Sequence, residues 1–292
     1  MKISQLGEFG LIDALKKFAP VSKDVIKGIG DDAAVLPFSQ DKYLLLTSDM
    51  LAEGTHFSRR MPPQSIGHKA LACNISDIAA MGGYPTFAVI SIGIPKDLPV
   101  SFIKDVYKGI QLLARAYNVS IVGGDTIKTK KIVINIALLG LVEKKNLITR
   151  DGASPNDWVF VTGALGGSFK SGRHLNFLPR LAQARFLIEK FPPSAMIDIS
   201  DGLSGDLNHI LKASKVGSRL DYASIPLHKG VSITQALNDG EDFELLFTLA
   251  RHRACSLMDW QLRQKSFYFY PIGVITADIH EKIDAKSFTH FK

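Results

Sequence analysis

Apolar residues in this chain follow two rhythms. In "KYLLLTSD", "TFAVISIGI" and "KIVINIALLGLV" they form short runs, the first ending in polar residues and the second β-branched and stopped by Pro95, which predict strands. Within "PVSFIKDVYKGIQLLARAYN", Phe102, Val106, Ile110, Leu113 and Tyr117 recur at the spacing of one helix face. "SIGHKALACNISDIAAMGG" predicts a helix that is apolar almost all round, closed by Gly82-Gly83. "SIVGGDT" predicts a short strand running into a glycine turn. "TRDGASPNDW", Thr149 to Trp158, concentrates turn formers and predicts a boundary between 1–148 and 149–292. Beyond it, "WVFVTG", "AMIDISDG" and "EDFELLFTL" predict strands, and "LPRLAQARFLIEKF" and "LSGDLNHILKAS" predict helices. The alternation predicts an α/β (α+β layered) fold of two domains.

Composition narrows the class without changing this picture. Hydrophobic residues are 46% and charged residues 22% of 292, which fits a folded globular chain. No apolar run approaches the ~20 residues that span a bilayer. The first residues carry Glu8 and Asp13 and lack a long apolar stretch, so the expected location is cytoplasmic, with no membrane partner. Cys73 and Cys255 lie outside any CxxC pair, which argues against a disulfide framework or a zinc site; both read as buried thiols. The net charge is +7, but the basic residues are dispersed, and "KTKK" and "EKKN" read as solvated turns. No nucleic-acid partner is expected.

The chemistry lies in the acids. Asp31 and Asp32 in "GIGDDAAV", Asp49 in "TSDML", Asp77 in "NISDIAAMGG", Asp125 in "VGGDT", Asp198 and Asp201 in "IDISDG", and Glu241 and Asp242 in "GEDFELL" all sit at the ends of apolar segments or beside small residues. Taken singly, each reads as a turn or a cap. Asp77 is the hardest to read so, because with Asn74 it interrupts an otherwise apolar helix. Adjacent carboxylates in a half-buried place resist ionising unless positive charge is near. Hard oxygen donors without a Cys/His cluster suit Mg²⁺ or Mn²⁺, whose remaining positions go to phosphates and water. The exposed N–H groups of "IVGGDT" could hold phosphate oxygens. No P-loop or protein-kinase signature is present.

Seven motifs in order, "GIGDDAAV", "TSDMLAEGTHF", "NISDIAAMGG", "VGGDT", "ITRDGA", "IDISDGL" and "GEDFELLF", resemble the thiamine-monophosphate kinases. These belong to the superfamily of aminoimidazole ribonucleotide synthetase. Each motif is weak alone; the ordered set is specific and covers nearly the whole chain. The resemblance implies ATP-dependent phosphorylation of thiamine monophosphate to thiamine diphosphate with Mg²⁺. It also implies a homodimer formed by pairing N-terminal sheets, with the nucleotide site near that interface. By motif it assigns Asp32, Thr47, Ser48, Asp49, Asp77, Asp125, Asp198 and Asp201 to magnesium, and Tyr117, Gly124, Asp125, Arg150 and Ser200 to the nucleotide. It assigns His56, Glu241 and Phe288 to the substrate, and gives Asp77, Asp125 and Arg150 the work of stabilising charge and positioning. Phe288 stands where close relatives have tyrosine, and the segment between "TGALGGS" and "IDISDG" is short for the family. The alternatives are another ATP-dependent enzyme of the superfamily or a non-catalytic nucleotide- or metal-binding relative. Against them stand the full acid set, the absence of a reactive cysteine in the N-terminal Gly-rich segment, and an end, "THFK", without a cysteine. A phosphate monoester is largely dianionic near neutrality, with its second pKa near ~6, so such an acceptor needs no strong general base.

Overall fold

The computed structural model describes residues 2–264, 266–283 and 288. The first half comprises α1 (Ile3–Lys16, broken at Gly7), β1 (Ala34–Pro37), β2 (Lys42–Ala52), α2 (Pro63–Ala80), β3 (Tyr84–Ile94), α3 (Val100–Ala116), β4 (Ser120–Lys128) and β5 (Val133–Glu143). Its sheet runs β1-β2-β5-β3-β4, antiparallel except for the parallel pair β3/β4, which α3 connects. Alternate residues of β5, from Ile134 to Val142, are buried, as an antiparallel strand with one covered face requires. That face is covered by α2 and α3, and α2 is buried along most of its length. The helices approach backbone to backbone: a β-carbon on Gly67 would lie 1.9 Å from the Val106 carbonyl, and one on Gly109 1.9 Å from that of Gln64. Leu71, Ile75 and Ile78 of α2 are fully enclosed, each contributing about 1.5–3 kcal/mol of burial.

The second half comprises β6 (Trp158–Val161), α4 (Ser168–Ser171), α5 (Leu181–Lys190), β7 (Ala195–Asp198), α6 (Leu203–Ser214), β8 (Gly217–Leu220), α7 (Ile233–Asn238), β9 (Leu245–Leu249), α8 (Arg251–Arg263) and β10 (Tyr270–Thr276). Its strands run β7-β9-β6-β10-β8, antiparallel throughout. All five residues of β9 are buried, because the sheet has a core on each side. One core is aliphatic, with Ile197, Leu207, Leu246 and Ile272. The other is aromatic, with Phe160 and Phe247 stacked at 5.3 Å. Strands covered on both faces read as unbroken apolar runs, as "ELLFTL" does. The second half also touches α2 through α5 and β7, so one helix is shared between the two cores.

Three local expectations are corrected. Gly123-Gly124 do not form a turn: β4 runs through them, with the irregularity absorbed beside Ala88/Val89. The strand expected over "EDFELLFTL" begins only at Leu245, because Glu241 and Phe243 take positive φ (55° and 51°). Cys73 is buried as expected, but Cys255 is exposed on α8. Gly82 closes α2 at φ 78°, as its sequence suggested. Among the described residues no helix is long and apolar enough to cross a membrane.

Candidate active site

The site grows from the loop before β1. The Asp31 side chain is 0% exposed and that of Asp32 1%. Much of the positive charge they need comes from the chain itself. Arg150, in a one-turn helix after β5, donates from Nη2 to Asp32 Oδ1 at 2.5 Å, and its backbone N–H donates to Asp31 Oδ2 at 3.3 Å. Lys27 Nζ lies 3.4 Å from Asp31 and 2.8 Å from Asp151. The turn holding Arg150 is pressed tight: a β-carbon on Gly152 would fall 1.8 Å from the Ser194 carbonyl. Burial works against the charge of Arg150, but Asp32 and Asp31 outweigh it and raise its pKa.

Strand β2 supplies the next groups by its period of two. Thr47 and Asp49 face α2, where the Thr47 hydroxyl donates to Asp77 Oδ2 at 2.5 Å and the Asp49 N–H donates to Asn74 Oδ1 at 3.2 Å. Ser48 points the other way, onto the outer face, and donates to Asn135 Oδ1 at 3.1 Å. From the second half, Asp198 at the end of β7 accepts the Ser76 hydroxyl at 2.6 Å, which ties α2 to the second sheet. One carboxylate oxygen each from Asp32, Asp77 and Asp198 lies within 4.8 Å of the others. Thus three acids 45 and 121 residues apart in sequence meet at one point.

Burial first, then the neighbouring carboxylates, raises these acids. Asp49 and Asp198 go to about 6, Asp32 to about 6 even with Arg150 beside it, and Asp77 well above the usual carboxylate range. Among the described residues, Asp32 Oδ2 is buried without a hydrogen-bond partner. Hard oxygen donors, mutual repulsion and an orphaned buried carboxylate oxygen together fit a divalent cation such as Mg²⁺.

A second acid group adjoins the first. Asp201 and Asp206 come within 4.8 Å of each other and of His209, and the Asp201 N–H donates to Asp206 Oδ2 at 3.1 Å. Burial raises Asp201 to about 6 and Asp206 further, and lowers His209 to about 4. Near the other end of α2, Lys69 is 0% exposed and donates to Glu241 Oε1 at 2.5 Å and to the His56 carbonyl at 3.0 Å. His56 Nδ1 accepts the Ala52 N–H at 3.0 Å, which leaves Nε2 as the protonated nitrogen of a neutral ring. Ser200 enters through its carbonyl, which accepts the Glu241 N–H at 2.7 Å. The Phe288 N–H donates to the Asp201 carbonyl at 3.2 Å, and the residue is 44% exposed.

Other predicted residues lie apart from this cluster. In the row Asp49–Ile136–Ile90–Gly124, three strand spacings separate β2 from β4, roughly 14 Å. Asp125 pairs with Ser91 on the outer face, which Ser48 shares. Tyr117 caps α3, and its hydroxyl donates to the Pro179 carbonyl at 3.1 Å; it lines a cavity of about 690 Å³ with Tyr84, Arg180 and Arg185. Lys69, Asp206 and His209 were not picked out from the sequence. Lys69 had one usable signal, a charge eight residues before Asp77 in a helix with little else polar.

The sequence model for the AIR synthase related protein N-terminal domain matches residues 30–142. The thiamine-monophosphate kinase of Aquifex aeolicus (strain VF5) is 37% identical over 289 residues, covering 89% of this chain and 91% of that protein. That of Escherichia coli (strain K12) is 32% identical, covering 98% of each. A solved structure described as AaThiL complexed with AMPPCP and TMP superposes with a TM-score of 0.86 at 34% identity, covering 99% of each chain.

Proposed function

Because this chain belongs to the thiamine-monophosphate kinase family, we propose that it transfers the γ-phosphoryl group of ATP directly to the phosphate of thiamine monophosphate, forming thiamine diphosphate. The observation that carries the reading is the meeting of Asp32, Asp77 and Asp198, with a buried carboxylate oxygen of Asp32 that no described group bonds. Asp32, Thr47, Asp49, Asp77, Asp198 and Asp201 would hold Mg²⁺, which when bound offsets the mutual repulsion of two phosphate-bearing substrates. Arg150 favours the ionised form of Asp31 and Asp32 and holds their loop in place, and its side chain, 19% exposed, would offer a donor to a nucleotide phosphate. His56 and Glu241, brought together by Lys69, recognise the acceptor. The acceptor oxygen is already ionised near neutrality, so the chain has to align it rather than deprotonate it.

The same reading makes the enzyme a cytoplasmic homodimer, with residues 1–148 forming the ATP- and metal-binding, pairing domain and 149–292 the second. Leu46, Met50, Phe87, Val89 and Ile127 are exposed on the outer face of the first sheet, around Ser48 and Asp125. A second copy against this face covers those side chains and offers its own Asp125 and Gly124 to the acid cluster, which one protomer's sheet order holds them away from. Tyr117 would border the nucleotide and Phe288 the acceptor.

Incubation with ATP, Mg²⁺ and thiamine monophosphate, with detection of thiamine diphosphate, tests the activity; no product would reject it. Rapid quench with γ-labelled ATP tests direct transfer, and label on the protein would refute it. Mixing inactive Asp77→Asn and Asp125→Asn chains should restore activity if sites are shared between copies, and no recovery in a confirmed mixed dimer would refute the sharing.

A further inference from the structure

We propose that Lys69 is the positioning residue for acceptor recognition: it fastens the 240–244 turn of the second half onto α2 and sets where Glu241 and His56 stand relative to the acid cluster. This rests on the kinase reading above.

Three observations converge on it. First, the Lys69 side chain is 0% exposed, and its ammonium bridges two segments 185 residues apart, the His56 carbonyl and the Glu241 carboxylate. An ion pair with a fully buried ammonium and a carboxylate only 19% exposed is a poor way to gain stability, since apolar residues of similar volume often serve as well or better. Its presence is better explained by the geometry that it fixes.

Second, the segment it fastens has an unfavourable backbone. Gly240, Glu241 and Phe243 all take positive φ, at 69°, 55° and 51°. Two of these residues carry side chains for which that region is disfavoured, so surrounding contacts must hold them there. The Glu241 and Phe243 N–H groups bond to the Ser200 and Ile199 carbonyls, and the Phe243 ring stacks on Phe177 at 4.1 Å. Lys69 is an ionic anchor of this turn on the first half.

Third, Lys69 and Asp77 share α2. Eight residues at 1.5 Å each place them about 12 Å apart along one rigid helix, whose interior is packed on both sides. The helix thus acts as a ruler with the phosphate end at Asp77 and the acceptor end at Lys69. An acceptor held too far from that mark loses alignment with the donor.

The test is steady-state kinetics of Lys69→Met, with ATP and thiamine monophosphate varied in turn. The expected result is a rise in KM for thiamine monophosphate of roughly 10-fold or more, with KM for ATP within about 2-fold. Adding Glu241→Gln to Lys69→Met should raise it little beyond Glu241→Gln alone, because Lys69 acts through that carboxylate. If Lys69→Met does not fold by circular dichroism, Lys69→Gln, which keeps a shorter polar donor, takes its place with the same expectation. Equal changes in both KM values, a lower melting temperature with unchanged KM, or full additivity with Glu241→Gln would each overturn the proposal. A wild-type chain that makes no thiamine diphosphate would instead reject the kinase reading, so the two failures are distinct.

Discussion

Replacing Asp198 with asparagine should stabilise the metal-free protein while disabling it. Asp198 is 3% exposed, and burial, with Asp49 and Asp201 beside it, lifts its pKa from 3.8 to about 6 against the help of Ser76 and Arg150. The folded chain therefore holds this proton more tightly than the unfolded chain. The favourable contribution is complete below about pH 4 and is lost as pH rises through about 6. Above that, forcing the carboxylate to ionise costs about 3 kcal/mol, at 1.36 kcal/mol per pH unit. Asparagine keeps an oxygen to accept the Ser76 hydroxyl, now at 2.6 Å, and sheds the charge. The attraction to Arg150 is already contained in that pKa, and allowing for an imperfect fit of the amide we expect a net gain of about 1–3 kcal/mol near pH 7.5. That is roughly 2–8 °C in Tm for a chain of this size. Differential scanning calorimetry in EDTA from about pH 4 to 8 should show the gain growing with pH and vanishing at the acid end. Adding Mg²⁺ should raise the Tm of the wild type and leave the variant nearly unmoved, because a ligand stabilises only the state that binds it. A variant that melts at or below the wild type in EDTA near neutrality, or that keeps the whole Mg²⁺ increment, would refute the reasoning.

Asp77→Asn should lower kcat/KM for diphosphate formation by about 100-fold or more without lowering the metal-free Tm, measured by product chromatography and calorimetry. Arg150→Met leaves the Asp31 and Asp32 side chains, 0% and 1% exposed, without their guanidinium partner; urea unfolding should show a loss of about 3 kcal/mol. Gly152→Ala puts a β-carbon 1.8 Å from the Ser194 carbonyl, so the turn carrying Arg150 must shift, at a stability cost of about 1–3 kcal/mol and with weaker ATP binding by titration calorimetry.

Much of the site could be named from the sequence because its parts are local. "GIGDDAAV" and "IDISDG" put acids beside turns that their glycines make possible, and Asp77 stood out as a carboxylate in an apolar helix. The residues that escaped are those whose meaning lies in a distant partner. Lys69 is an ordinary helix former until α2 is enclosed by both halves, and only then does its charge require Glu241. Arg150 was assigned to the nucleotide through its motif, and its further contacts with Asp31 and Asp32 appear only in the fold. The glycine turn expected at Gly123-Gly124 failed for a related reason. Glycine permits a turn but does not compel one, and pairing with β3 keeps the backbone extended.

By itself, the sequence determined the periodic segments, the order of the acid motifs and the family to which they belong, since spacing and turn chemistry act over a few residues. Tertiary structure alone decided which acids share one point and which stand apart. Packing α2 between two cores brings Asp77 to Asp198, while the strand order β2-β5-β3-β4 holds the strand of Asp125 three spacings from that of Asp49. Strand order and helix burial are settled by contacts between distant segments, and no local period encodes them.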